Sequence, residues 1–111
     1  MTMADTHKVL GQVVPPSGSL TSLYTVPGAT STVVSSLVVC NQCSSSVYVR
    51  ISVAVGGATS DTKQYLYYNV DLAERDTFSA ILGLSLGATD VVRCWASASP
   101  VSFSLFGVEV T

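Results

Sequence analysis

The chain has few charged residues. Asp, Glu, Lys and Arg together make up 11% of its 111 residues, less than half of the about 25% that is usual in a soluble domain. The five basic residues are scattered and the net charge is −2, so we expect no binding to nucleic acid. A surface with so little charge protects poorly against association. It predicts a subunit that lives in contact with other protein.

Long apolar runs are also missing. No apolar stretch approaches the about 20 residues that a membrane helix needs, and we expect no membrane partner. The first seven residues, MTMADTH, lack the positive and apolar segments of a signal peptide. They predict a flexible arm over residues 1–7, followed by one domain over residues 8–111. Three cysteines, an odd number, agree with assembly in a reducing cytoplasm.

Catalytic and metal-binding motifs are absent as well. Cys40 and Cys43 have the spacing of half a zinc site or of a redox pair. A zinc site needs four ligands, and the remaining candidates are only Cys94 and His7. No helix follows the pair to lower a thiol pKa. We interpret Cys40 as the end of a strand and Cys43 as a loop residue.

The acidic and glycine-rich segments also favour plain turns. Asp71, Glu74 and Asp76 flank Arg75 and lack the alternating spacing of a calcium loop. Gly56-Gly57 is followed by no helix and no Lys-Ser/Thr pair, so it is not a phosphate loop. We therefore predict no enzyme, no catalytic residue, no cofactor, no metal and no small-molecule substrate.

What the sequence does contain is a series of short β-branched segments. Residues 32–40 hold four valines without charge, Pro or Gly, and predict a central strand covered on both faces or nearly so. Strands are predicted at residues 8–14, 20–26, 32–40, 47–55, 65–72, 77–86, 91–96 and 101–110. Eight such strands without helical periodicity predict an all-β, single-domain antiparallel β-sandwich or jelly roll.

Tyrosines are the first candidates for contacts between subunits. On the strand at 65–72, alternation places Tyr65 and Tyr67 outward and Leu66 and Tyr68 inward. Tyr48 lies opposite the apolar set of another strand. Aromatic residues with a polar tip are enriched at protein interfaces. We favour an interface over the alternative, which is a loop that covers them within one subunit.

The last strand contains a break in its alternation. Leu105 shares one face with the preceding apolar residues, whereas Phe106 and Val108 share the other, and Gly107 lies at the switch. Either the chain bulges at Gly107 with φ > 0, or both faces are covered. The second alternative would put Phe106 and Val108 in an interface. Trp95 shares a face with Arg93 and is either a core residue or its cation–π partner.

The order of segments resembles small structural proteins of tailed bacteriophage virions, over nearly the whole chain from about Leu20. The similar segments are SLYTVPG at 22–28, VVSSLVVCN at 33–41, YLYY at 65–68, DTF at 76–78 and VSFSLFGVE at 101–109. Proteins of that family are one-domain β-sandwiches that form homotrimers and decorate or cement the capsid. Related domains occur in tail and fibre components.

The resemblance implies a non-enzymatic virion protein. It would be a homotrimeric cement or decoration protein, assembled in the host cytoplasm and located on the capsid surface. Its partners would be itself and the major capsid protein, whose copies it bridges to stabilise the capsid. The alternatives are a tail, neck, baseplate or fibre component, or a glycan-binding β-sandwich module. For the glycan site, Tyr65 and Tyr67 with Asn69 are the best candidates.

Overall fold

The computed structural model describes residues 5–111, which form eight β-strands. The strands are β1 (Asp5–Val13), β2 (Thr21–Thr25), β3 (Ser31–Asn41), β4 (Val47–Ala54), β5 (Tyr65–Leu72), β6 (Thr77–Leu86), β7 (Val91–Ala96) and β8 (Val101–Val110). Two short 3₁₀ turns, Val55–Gly57 and Thr62–Gln64, lie between β4 and β5. The predicted all-β class and the number of strands are confirmed.

The strands form two four-stranded antiparallel sheets. Sheet I has the order β1-β8-β3-β6 and sheet II the order β2-β7-β4-β5. Consequently β1 pairs with β8, β2 with β7, β3 with β6 and β4 with β5. This nested pairing of the first half of the chain with the second half is the topology of a jelly roll.

The hydrophobic core lies between the two sheets. Val34, Leu37 and Val39 of β3 are fully buried, as are Phe103 and Leu105 of β8. Burial alternates along β3, whose other face is exposed or half-buried. The predicted covering of both faces of this strand is therefore wrong within one protomer. Because the sheet is pleated, only every second residue reaches the core between the sheets.

The first strand begins earlier than predicted. Asp5, Thr6 and His7 pair with the end of β8, opposite Val110, Glu109 and Val108. Residues 5–7 therefore belong to β1 and not to a flexible arm. The backbone ladder pairs polar residues as well as apolar ones, so the polarity of this segment concealed the strand. Residues 1–4 of the predicted arm lie outside the described residues.

Residues 66–68 of β5 face the opposite way from the prediction. Tyr67 is opposite the buried Ile51 and packs on the core, whereas Leu66 and Tyr68 are 44% and 59% exposed. Asn69 has φ 54°, and the register with β4 shifts beside it. A bulge of this kind inverts the phase of the residues on one side of it. The outward position predicted for Tyr67 is therefore wrong.

Gly107 lies in a regular part of β8. The bulges are on the two strands that pair with β8, which are β1 and β3. The register shifts between Val34 and Ser36 on β3 and, on β1, just after Val9. Gly107 does not have positive φ, so of the two alternatives the bulge at this glycine is wrong. A Cβ here would overlap the Val33 carbonyl oxygen and lie 3.0 Å from Val34 Cα. Glycine is required because the bulged β3 approaches so closely.

Candidate interaction surfaces

An arginine lies between two aromatic rings on the outer face of sheet II. Arg50 Cζ is 3.9 Å from the centroid of the Trp95 ring and 4.2 Å from that of Tyr68. Arg50 Nε donates a hydrogen bond of 2.7 Å to Asn69 Oδ1. These four side chains, Arg50, Tyr68, Asn69 and Trp95, form what we call the arginine cluster. It arises because Arg50 is opposite Trp95 on β7 and beside the β5 bulge.

The predicted partner of Trp95 is different from the observed one. Arg93 shares the outer face with Trp95, but its two terminal nitrogens donate to the carbonyl oxygens of Ala58 and Gly57. Arg50 takes the cation–π role instead. The signal for this pairing lies in the register of β4 against β7, which brings residue 50 opposite residue 95. The sequence does not reveal that register.

The tyrosines predicted for an interface divide between the two sides of sheet II. Tyr48 is 51% exposed on β4. Tyr65 is half-buried opposite Ser52, and its ring meets that of Tyr68 edge-on at 5.1 Å. Tyr67 points into the sandwich and meets the Phe78 ring at 5.4 Å. The proposed glycan group of Tyr65, Tyr67 and Asn69 is therefore not brought together on one face.

The outer face of sheet I carries a row of side chains that crosses all four strands. Val9 is opposite Phe106, Phe106 is opposite Ser36, and Ser36 is opposite Ile81. Ile81 is 93% exposed, Val9 is 47% exposed and Phe106 is half-buried. In the next row Val108 is opposite Val33, which is 43% exposed. We call these residues the apolar face of sheet I; its members are Val9, Val33, Ile81, Phe106 and Val108.

The apolar face has almost no charge around it. Its remaining outward residues are mostly serines and threonines, such as Ser79, Ser102 and Ser104. Asp5, at the start of β1 opposite Val110, is the one charged residue on this face within residues 5–111. A surface of this composition can be buried without stripping water from ions, and it is therefore suited to contact with protein.

A network of polar side chains connects the two sheets near the end of β8. Tyr24 Oη donates to Glu109 Oε2 at 2.6 Å and lies 2.8 Å from Thr32 Oγ1. Lys8 Nζ donates to Glu109 Oε1 at 3.2 Å. The Tyr24 hydrogen bond, followed by Lys8, lowers the pKa of Glu109. Burial and the Glu109 carboxylate raise the pKa of Tyr24 to about 12.

The cysteines have the positions that the sequence predicted. Cys40 is the penultimate residue of β3, Cys43 lies in the following loop, and both are free. Cys94 is buried in β7, and burial raises its pKa to about 12. Between Asp5 and Thr111 no three His, Cys, Asp or Glu side chains are grouped to hold a metal ion. The same part of the chain contains no helix with the length and apolarity of a membrane span.

Comparison with known proteins places this fold among viral capsid chains. No family model and no curated protein sequence matches the chain. It is similar to a chain in the crystal structure of the T13 IBDV viral particle, with a TM-score of 0.57 and 14% identity. That alignment covers 98% of this chain and 30% of the IBDV chain. The chain thus spans less than a third of the length of that protein.

A second similar structure is of the same size. It is a chain in the acidic stable capsid structure of Helicobacter pylori bacteriophage KHP30, with a TM-score of 0.53 and 13% identity. The alignment covers 99% of this chain and 94% of that chain. At such identities the likeness establishes the fold, which is a β-fold of the type found in viral and phage capsid proteins.

Proposed function

We propose that the chain is a non-enzymatic structural protein of a bacteriophage virion, and that it acts as a homotrimeric cement or decoration protein on the capsid surface. The observation that carries this proposal is the end-to-end likeness to a chain in the KHP30 capsid structure, with 99% and 94% of the two chains covered. A jelly roll of this size occurs there as nearly a whole chain.

The apolar face of sheet I supplies the means of assembly in this proposal. Phe106 and Val108, together with the 93% exposed Ile81, would be buried between protomers of the trimer. Each Å² of apolar surface buried contributes about 25 cal/mol. Within residues 5–111 Asp5 is the one charged residue on this face, which keeps the desolvation cost low. Tyr48 and Tyr65, on the opposite side of the sandwich, belong to a second contact surface.

The mechanism is mechanical. A trimer seated where neighbouring copies of the major capsid protein meet would bridge them, and dissociation of one copy would then require several contacts to break together. The chain would be made in the host cytoplasm and would end on the outside of the capsid. The low charge of the chain, 11%, supports a subunit whose surface is largely covered in the assembly.

The test is co-sedimentation with capsids that lack this protein. We expect the purified protein to sediment with the shells at a saturable ratio and to raise their melting temperature. A Phe106→Ser variant should lose this binding, whereas a variant at the loop residue Val55, 76% exposed, should retain it. Protein that stays in the supernatant with intact shells would contradict the proposal. Binding to tails alone would favour a tail, neck, baseplate or fibre component, and binding on a glycan array would favour a sugar-binding module.

A further inference from the structure

We propose that the outer face of sheet II is a docking surface for an acidic segment of a protein partner, and that Arg50 binds a carboxylate of that segment. The proposal rests on the arginine cluster, in which a guanidinium group is held between two rings and forms no ion pair with a carboxylate of the described part of the chain. It concerns a different face from the one proposed for trimer assembly. Its test uses the isolated protein and does not depend on the capsid role.

The cluster fixes the orientation of the guanidinium group. Because β4 lies between β7 and β5, Trp95 and Tyr68 approach Arg50 from opposite sides, at 3.9 Å and 4.2 Å. Stacked rings cover the faces of a guanidinium group and leave its N–H groups free to bond in their own plane. Asn69 Oδ1 accepts the bond from Nε at 2.7 Å. These three contacts restrain the orientation of the side chain, which lowers the entropy cost of binding a partner.

The free donors of Arg50 have the geometry of a carboxylate site. The guanidinium group has five N–H donors, and the bond to Asn69 uses the one on Nε. Within residues 5–111 no acceptor is bonded to the two terminal nitrogens of Arg50. Paired donors of this kind match the two oxygens of a carboxylate, which arginine commonly binds in a bidentate manner. A held and unpaired arginine is therefore prepared for such a ligand.

The charges of this face favour an acidic partner. The ion pair found within residues 5–110 joins Lys8 to Glu109, and no carboxylate there pairs with Arg50. Arg93 is two residues from Trp95 on β7 and so is a diagonal neighbour of Arg50 on the same face. It too bonds only to carbonyl oxygens. Asp71, opposite Tyr48, also lies on this face, and within residues 5–110 it forms no ion pair with either arginine. The two arginines outnumber this carboxylate, and the excess of positive charge favours an anionic ligand.

A protein carboxylate fits this face better than a nucleic acid or a sugar. Arg50 already occupies one face of each ring on which a base or a sugar would stack. The chain has a net charge of −2 and no basic stripe to follow a phosphate backbone. Tyr48 and Tyr65 extend the same surface, and Trp, Tyr and Arg are the residue types enriched in the hot spots of protein–protein interfaces.

The experiment is an NMR titration that follows the arginine Nε–Hε resonances. The probe is a blocked peptide rich in Asp and Glu, and its control has Asn and Gln at the same positions. We expect a saturable shift of the Arg50 resonance with the acidic peptide only. Arg75, exposed in the β5–β6 turn, is the internal reference and should not shift in this way. Equal shifts of Arg50 and Arg75 would overturn the proposal.

Two variants separate the binding role from a structural one. Arg50→Lys keeps the positive charge but loses the planar pair of N–H donors, and should weaken peptide binding by at least about tenfold. Arg75→Lys is the matched control and should bind normally. Asn69→Gly keeps the backbone conformation that φ 54° requires and removes the acceptor for Nε, which should weaken binding several-fold. If Arg50→Lys binds as well as the wild-type protein with its amide spectrum intact, the proposal is wrong.

The same titration distinguishes the other classes of ligand. Inorganic phosphate, a short oligonucleotide and an acidic oligosaccharide are added in parallel to the wild-type protein. Tighter binding of the oligonucleotide than of the acidic peptide would replace the proposal with nucleic-acid binding. Tighter binding of the oligosaccharide would replace it with glycan binding. If none of the probes binds, the proposed docking surface is wrong. The capsid proposal is then unaffected, because co-sedimentation tests it separately.

Discussion

The outer faces of the two sheets belong to one sandwich and yet differ in charge. The apolar face of sheet I presents Val9, Ile81 and Phe106 in a row and has Asp5 as its one charge within residues 5–111. The outer face of sheet II holds Arg50 between Tyr68 and Trp95. The scarce charge of the chain is therefore not spread evenly. One face offers apolar area, whose burial would favour association, and the other offers hydrogen-bond donors, which in our proposal would select and orient a partner.

The comparison makes predictions that can be ordered by their expected effect on the free energy of unfolding. The largest effect should come from Gly107→Ala, which places a Cβ against the Val33 carbonyl oxygen in sheet I. We expect a loss of about 1–3 kcal/mol, as for an overpacked core. Gly28→Ala is the control, because nothing lies within 4 Å of a Cβ there. Urea unfolding measures both, and equal stability of the two variants would contradict the close approach.

The next largest effect concerns the network that joins β2 to β8. Tyr24→Phe removes the hydroxyl that bonds Glu109 and Thr32, and we expect a loss of about 1–2 kcal/mol at neutral pH. Tyr48→Phe is the control, because this side chain is 51% exposed. A free energy of unfolding that is the same in both variants would show that the network contributes nothing.

The same network predicts a response to acid. The pKa of Glu109 is lower in the folded protein than its ordinary value of 4.5, so its stabilisation is complete above that pH and is lost as the pH falls through the folded pKa. The hydrogen-exchange protection factors of the β1 amides, beside Lys8 and Glu109, should fall in acid before those of β4 and β7, with each rate compared with the intrinsic rate at the same pH. Tyr24→Phe should flatten this dependence. Simultaneous loosening of both sheets would argue against it.

A smaller effect is expected from the arginine cluster. Arg50→Met removes both cation–π contacts and the bond to Asn69. Since the site is only half-buried, we expect a loss of about 0.5–1 kcal/mol. Arg75→Met, in an exposed turn, should be neutral. A neutral Arg50→Met in a thermal melt would mean that the rings do not hold the guanidinium group.

The smallest effect on folding is expected at the β6 edge of the apolar face. Ile81→Ser changes a side chain that is 93% exposed, so stability of the protomer should change by less than about 0.5 kcal/mol. The oligomer, measured by light scattering at micromolar concentration, should weaken clearly. Val55→Ser, 76% exposed on a loop, should leave it unchanged. An unaltered oligomer in Ile81→Ser would remove this face from the assembly.

These features differ in how far the sequence predicts them. Regular alternation, as in β4, identified strands well because burial of every second residue leaves a direct trace in the sequence. A bulge leaves no such trace. Alternation alone therefore predicts the wrong faces for Tyr67 and Tyr68, because the bulge at Asn69 inverts them. The break in alternation marks Gly107 as an unusual position. The physical reason for a glycine there is the close approach of β3, a strand distant in sequence.

The candidate surfaces also differ in how far the sequence predicts them. Phe106 and Val108 were identified as outward-facing residues under one alternative, since they depend only on the phase of a single strand. The arginine cluster was missed because it depends on the register of three strands. Residues 50, 68 and 95 meet only when β5 and β7 lie on either side of β4. Contacts across such separations are set by topology, which local patterns do not specify.

The most direct test of the central claim is a reconstruction of the virion that contains this protein. Our account predicts trimeric density on the outside of the capsid, into which this jelly roll fits. It also predicts that the apolar face of sheet I lies against neighbouring protomers. Density confined to the tail, or protomers on the capsid with Ile81 and Phe106 facing solvent, would contradict it.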